Sequence, residues 1–256
     1  MDSLEARLAH SFGTAAPVYA VHASVQAQAR AQLLQMSVEH LPPMLPSWVD
    51  LGCGDGALAA LLAARFGRGL GLDLAAPMLA QARQGSDNLF VQASFNALPL
   101  RTAGVAALFS NFALQWAEVA RVMPALASAL QAGGTLALAL PVAGSLPELA
   151  RAWVAAGRQA PLRPLPSAAA WLQAVEAAGL RLIVRADADL VSEHASAALA
   201  LHALKASGVG VYDRSAQPGL LGRAAYQRIL QALADASGRC RLTYRVLWLL
   251  ARKEER

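Results

Sequence analysis

Between Trp48 and Asp73 the chain reads WVDLGCGDG, then an Ala- and Leu-rich run, then RGLGLD. A short apolar strand feeds a loop holding Gly52, Gly54 and Gly56, a helix follows, and a second strand ends on an acid. Without a Cβ, glycine lets the backbone turn sharply and come close to a ligand. The N–H groups at the start of the next helix then face that ligand. Asp73 falls about twenty residues on, where a strand-end carboxylate accepts hydrogen bonds from ribose hydroxyls. The stretch points to an adenosine-type cofactor on an α/β sheet without choosing the cofactor, since Gly52, Gly54 and Ala57 also match the G-x-G-x-x-G/A dinucleotide pattern. The competing reading is a plain strand–turn–helix whose glycines serve packing alone.

The chain has 256 residues, enough for one large domain with a sizeable core. Its hydrophobic content of 56% and mean hydropathy of +0.37 raise the question of a membrane protein. Much of that content is alanine interleaved with Arg, Gln and Gly, and no apolar run reaches the roughly 18 residues of a spanning helix. The longest candidate, TLALALPVAG, reads as a buried strand. The opening MDSLEARLAH has no basic-then-apolar signal, so export is not expected. Cys53 and Cys240 give neither a disulfide framework nor a metal spacing, and a reducing cytoplasm fits. A net charge of +5 suits nucleic acid, anionic lipid or an acidic protein. With no compact Lys/Arg run and no aromatic-interleaved basic stripe, neither nucleic acid nor a membrane is the expected partner.

An N-terminal segment from Phe12 to Met36 carries Val21, Val25, Ala29, Leu33 and Met36 at helical spacing, which predicts one buried face. The linker EHLPPMLP breaks it. After the first strand, helix is expected over Ala57–Arg65, strand over Gly69–Asp73, helix from Pro77 to Gln84, and strand over Leu89–Ala93. A fourth strand follows at Val105–Phe109, then a helix to Leu130 bent or restarted at Pro124, ended by Gly133 and Gly134. Thr135–Leu140 is the fifth strand. Ser145 is expected to cap a helix with Pro147 in its first turn, and another helix runs from Ser167 to Gly179. LRLIVRAD reads as strand six. Helices near Ala195–Ser207 and Gly222–Ala236 flank a loop, GVGVYDRSAQPG, and TYRVLWLLAR is a last strand. Strands alternating with helices imply a doubly wound, mostly parallel sheet. The two late helices look like a cap over the carboxyl ends of its strands, where such sheets bind ligands. The expected organisation is one domain over 1–256: an N-terminal lid (1–46), a cofactor-binding core (47–141), and a substrate side (142–256) with its cap at 195–236.

A dinucleotide enzyme usually repeats its βαβαβ half, yet the chain after Leu140 offers no second glycine-rich turn. No GxxxxGK[ST] occurs either. A nucleoside cofactor without a pyrophosphate remains.

VDLGCGDG, LDLAAPMLAQAR, ASFNALPL and SNFALQW resemble the successive motifs of class I S-adenosylmethionine-dependent methyltransferases. That resemblance implies a seven-stranded, Rossmann-like sheet whose last strand is antiparallel, with TYRVLWLLAR placed to be it. FGTAAPVYAVHASVQ, GSLPELARAW and LHALKASGVG are similar to the malonyl-[acyl-carrier protein] O-methyltransferases of biotin synthesis, a likeness running from Phe12 to Arg252. It implies methylation of the free carboxyl of a malonyl thioester, carried by acyl carrier protein or coenzyme A. The alternatives are methylation of another small acid or a quinone precursor, and a cofactor-binding interaction protein without turnover.

The same resemblance implies the site. Gly52 and Gly54 would face the methionine part of the cofactor, with Asp50 towards its amino end and Asp73 on the ribose. Leu74 and Met78 would flank the adenine, and Asn111 would lie near the sulfonium. Each has a plainer alternative: Asp73 as a helix cap, Met78 as core filling, Asn111 as a turn former. Ser94 departs from the family, which commonly has an acid there for the adenine amino group; the serine hydroxyl and backbone around Phe95 are left to serve. A malonyl carboxylate is already ionised near pH 7, having a pKa of about 4, so no general base is required. Tyr19, His22 and Lys205 are the candidates to hold it, against ordinary packing or a solvated lysine. Trp116 is expected to wall the pocket. Arg151, Arg158, Arg214, Arg223 and Arg245 are either a solvated face or a docking surface for an acidic carrier protein.

Overall fold

The computed structural model describes residues 4–206 and 221–255. Helix α1 (Leu4–Ala15) leads through a 3-10 turn (Ala16–Val18) into the short α2 (Tyr19–His22) and the longer α3 (Ser24–His40). The continuous helix expected from Phe12 is therefore broken. Pro17 sits at the start of the 3-10 turn, and Ala23 leaves helical geometry at φ −94°, ψ 37°. Val25, Ala29, Leu33 and Met36 are buried on α3, as their spacing predicts, but Val21 precedes the break and is 80% exposed.

The strands are β1 (Trp48–Leu51), β2 (Leu70–Asp73), β3 (Leu89–Gln92), β4 (Val105–Asn111), β5 (Leu130–Pro141), β6 (Leu180–His194) and β7 (Cys240–Lys253). Between them run α4 (Ala57–Phe66), α5 (Ala76–Gly85), α6 (Val119–Ala129), α7 (Pro147–Ala155), α8 (Ala168–Ala177), α9 (Ala197–Ala206) and α10 (Arg223–Leu233). All seven strands form one sheet in the order β3-β2-β1-β4-β5-β7-β6. β7 is antiparallel to both β5 and β6, as expected for the last strand. The order reverses between β1 and β4, which puts a crevice at their carboxyl ends, beside the glycine loop.

The core follows from alternation along the strands. Trp48, Phe109, Ala137 and Trp248 pack on one face with α3, α4 and α7. Val49, Leu108, Leu138 and Leu249 pack on the other with α6 and α8. Trp248 Nε1 donates to the Ala29 carbonyl at 2.9 Å, tying α3 to the antiparallel strand. The glycines around β2 make room for aromatic rings: a Cβ at Gly69 would lie 2.2 Å from the Trp48 ring, and one at Gly71 2.6 Å from Phe90.

Several boundaries differ from the sequence reading. α6 ends at Ala129, ahead of the glycine pair, because β5 already begins at Leu130 and carries a bulge. Val105 pairs with Leu130 but Ala107 with Thr135, and Gly133 takes φ 71° within the extra residues. Ser145 does not cap α7. Leu146, at φ 57°, holds the N-cap position, while Ser145 Oγ accepts from Arg245 N at 3.0 Å and donates to the Val142 carbonyl. β6 continues past Asp187 to His194 because β7 offers it a partner along its whole length. The GVGVYDRSAQPG loop and Arg214 lie outside the described residues. α9 packs against α2, β6 and β7, and α10 against α7 and α9. No helix among the described residues is long and apolar enough to cross a membrane.

Candidate active site

Gly52, Gly54 and Gly56 take φ of +70°, +54° and +80°, values that side chains rarely adopt. Gly52 N and Cys53 N both donate to the Leu72 carbonyl, at 2.7 and 2.9 Å, which clamps the bend to the end of β2. A Cβ at Gly52 would stand 2.2 Å from that of Ala113, whereas one at Gly54 would meet no atom within 4 Å. Gly54 faces a cavity of about 470 Å³. Gly52, Asp73, Leu74, Met78, Ser94, Phe95 and Asn111 line the same cavity, so most of the anticipated cofactor residues come together.

Asp73 is wired into the bend. Its Oδ2 accepts from Gly54 N at 2.9 Å and its Oδ1 from Ala75 N at 2.8 Å, so it bridges the glycine loop and the turn that leads into α5, whose own N-cap, Ala75, receives no side-chain cap. Burial pushes its carboxyl above the usual range, opposed by these backbone donors. Met78 lines the cavity and also packs, at 1% exposure, with Ala16 and Ala75. Asn111 Nδ2 donates to the Gln26 carbonyl at 3.1 Å, while its Oδ1 is buried without a partner. Phe112, next in the chain, is held at φ 54°, a strained conformation of the kind that gathers at functional sites.

Asp50 lies elsewhere: it is 1% exposed, Oδ2 has no partner, and it does not line the cavity. Burial, then the nearby Asp73, raises its pKa to about 8. The folded state therefore holds this proton to higher pH than the unfolded chain. That stability is present at acid pH and declines as pH rises from about 4 to 8, by up to about 1.4 kcal/mol per unit. D50N is expected to flatten the slope of unfolding free energy between pH 5 and 8, with Asp73 retaining a share. Urea titrations across that range check it, and an unchanged slope would contradict the assignment.

At the far end of the cavity, Ser94 donates through Oγ to Glu5 Oε1, and Asn96 Nδ2 donates to the same oxygen at 2.6 Å. These two bonds hold the Glu5 carboxyl below its ordinary range. An acid thus stands beside Ser94, supplied by α1. Glu5 precedes Phe12, where the helical periodicity of the N-terminal segment starts, and carries no signal of its own in the sequence.

A second cavity, of about 310 Å³, shares Phe12, Tyr19, Phe112 and Trp116 with the first. Phe12 meets both Tyr19 and Trp116 edge-on, with ring centres 6.4 and 6.2 Å apart. Tyr19 therefore stands where the cavities adjoin, and burial raises its phenol pKa, keeping it a proton donor. Trp116 walls both. His22 and Lys205 line neither: the His22 ring packs edge-on against His202, and Lys205 is exposed on α9. Arg163, which lines the second cavity, went unnoticed in the sequence because it lies in the irregular APLRPLPS segment, without periodicity.

S-adenosylmethionine fits the residues present. Asp73 offers carboxylate oxygens to a ribose diol, Met78 and Leu74 give apolar flanks, and the orphaned Asn111 Oδ1 offers negative charge density to a cationic centre. Strand order, glycine bend and strand-end acid together define a class I methyltransferase, the enzyme fold that takes this cofactor. Residues 49–138 match the family model described as a methyltransferase domain. The chain is 31% identical over 252 residues to a malonyl-[acyl-carrier protein] O-methyltransferase from Pseudescherichia vulneris, covering 94% of both chains. It is 33% identical over 258 residues to one from Alcanivorax borkumensis, covering 97% of this chain and 87% of the other. Among solved structures, a putative methyltransferase from Bacillus halodurans superposes with a TM-score of 0.62 at 16% identity, covering 88% of this chain and 98% of that one. The chain belongs to the malonyl-[acyl-carrier protein] O-methyltransferase family.

Proposed function

We propose that this protein methylates the free carboxyl of a malonyl thioester, with malonyl-acyl carrier protein as substrate and malonyl-CoA as the smaller alternative, early in biotin synthesis in the cytoplasm. The observation that carries this reading is the pair of adjoining cavities, one on the glycine bend and Asp73, the other behind Tyr19 and Trp116. When bound, S-adenosylmethionine supplies an electrophilic methyl on a sulfonium. Gly52 and Gly54 hold its methionine part, Asp73 its ribose, and Leu74, Met78 and Phe95 its adenine end, while Asn111 faces the sulfonium. Glu5, oriented by Ser94 and Asn96, serves the adenine amino group in place of the acid usual at position 94.

The carboxylate is ionised near pH 7, so no residue has to remove a proton. The protein's work is to align and dry the reactants. Phe12, Phe112 and Trp116 form apolar walls where the cavities adjoin, and exclusion of water favours a reaction in which an anion and a cation become neutral. Proximity of this kind supplies up to about 7–11 kcal/mol. Tyr19 orients the carboxylate as a hydrogen-bond donor. The exposed Arg151, Arg223 and Arg245 are available to an acidic carrier protein, although Arg245 also sits 3.7 Å from Asp189.

Incubation with S-adenosylmethionine and, separately, malonyl-acyl carrier protein, malonyl-CoA and acetyl-acyl carrier protein tests this. Mass spectrometry is expected to show a methyl ester on the malonyl species and none on acetyl. Cofactor binding without any methyl ester would favour a non-catalytic binding protein. For the adenine end, E5A is expected to weaken S-adenosylhomocysteine binding by about tenfold by calorimetry, the worth of one charged hydrogen bond. Unchanged affinity would remove Glu5 from the site.

A further inference from the structure

We propose that Arg163 is the residue that receives the substrate's carboxylate, and that the cavity it lines is the acyl pocket; the inference rests on the malonyl reading above. Arg163 is half-buried in the coil between α7 and α8. Its Nη1 donates to the Trp116 carbonyl at 3.2 Å, fixing the guanidinium to the loop whose indole walls both cavities. A guanidinium has five N–H donors in a planar fork, and this bond uses one.

No other Lys, Arg or His, and no Asp or Glu, is found among the described residues lining that cavity. Arg163 forms no ion pair among the described residues. A cation held against apolar walls without a counter-ion pays for lost hydration, which an incoming anion restores. Two further groups point the same way. Trp116 Nε1 is buried without an acceptor, and Tyr19 lines both this cavity and the cofactor cavity. Guanidinium and indole are donors without acceptor capacity, and the phenol can donate as well, to a ligand that brings only acceptors; Gln115, whose Oε1 is also buried without a partner, lines the same cavity.

The chemistry selects a carboxylate that keeps one oxygen free. Arg163 holds one oxygen; the other forms the new O–CH3 bond as the C–S bond of the sulfonium breaks and its electron pair returns to sulfur. The product ester is neutral, loses the ion pair with Arg163, and so is held more weakly than the substrate. An acetyl thioester lacks the carboxylate and has nothing to offer the guanidinium. The same residue therefore accounts for selection and release.

Steady-state kinetics with malonyl-pantetheine and S-adenosylmethionine on wild type, R163A and R163K test the proposal, with S-adenosylhomocysteine thermal shifts as a measure of folding and cofactor binding. R163A is expected to raise KM for malonyl-pantetheine about ten- to hundredfold, the range of a charged hydrogen-bonded contact. Its kcat is expected to move far less and its S-adenosylhomocysteine shift to stay at the wild-type value, with R163K recovering part of the loss. If wild type methylates malonyl-pantetheine and R163A does so with unchanged KM, or if R163A instead loses the S-adenosylhomocysteine shift while R163K keeps normal KM, the assignment of Arg163 falls alone. If wild type methylates no malonyl thioester, the functional reading falls and takes this assignment with it.

Discussion

Gly52→Ala is expected to lose cofactor binding and about 2–5 kcal/mol of folding stability together. The new methyl would stand 2.2 Å from Ala113 Cβ, on backbone at φ +70°. Left-handed backbone costs about 1–2 kcal/mol for a residue with a Cβ, and overpacking adds about 1–3 kcal/mol. Gly54→Ala separates the two effects. Its methyl meets no protein atom within 4 Å, so only the backbone cost of about 1–2 kcal/mol applies. Gly54 nevertheless lines the cofactor cavity, and the methyl occupies the ligand's space. Urea denaturation and calorimetry with S-adenosylhomocysteine distinguish the pair: both variants lose the ligand, and Gly52→Ala loses much more stability. Wild-type affinity in Gly54→Ala would show that the bend does not hold the cofactor.

Asp73→Ala is expected to weaken S-adenosylhomocysteine binding by about a hundredfold or more. Two ribose hydroxyls donating to one carboxylate are worth about 3 kcal/mol or more at the scale of charged hydrogen bonds, which corresponds to that factor. The loss goes beyond ligand contacts, because Gly54 N and Ala75 N also lose their acceptor and the bend loosens. Asp73→Asn keeps one carbonyl oxygen and should fall between. Calorimetry on the three proteins orders them, and an Asp73→Ala affinity within a few-fold of wild type would contradict the ribose role.

The difference between what the sequence revealed and what it hid lies in periodicity. From Trp48 to Asn111 each strand and helix is bounded by a glycine, a proline or a change of hydrophobic period, so the element order and the residues at strand ends could be read directly. Asp73, Leu74, Met78 and Phe95 fall at such ends and meet in one cavity. Glu5 and Arg163 do not. Glu5 comes to Ser94 only because α1 folds back onto α5, a contact between residues 89 positions apart. Arg163 reaches the site from a coil with no pattern of its own. His22 and Lys205 show the reverse: suitable chemistry, but on helices that direct one against His202 and leave the other exposed.

A crystal structure with bound S-adenosylhomocysteine bears most directly on the whole. Ribose hydroxyls are expected on the Asp73 carboxylate, the homocysteine part against Gly52 and Gly54, and the sulfur facing the wall of Tyr19 and Trp116. A nucleoside bound away from the Gly52–Gly54 bend, or an Asp73 side chain turned from the ribose, would contradict this arrangement.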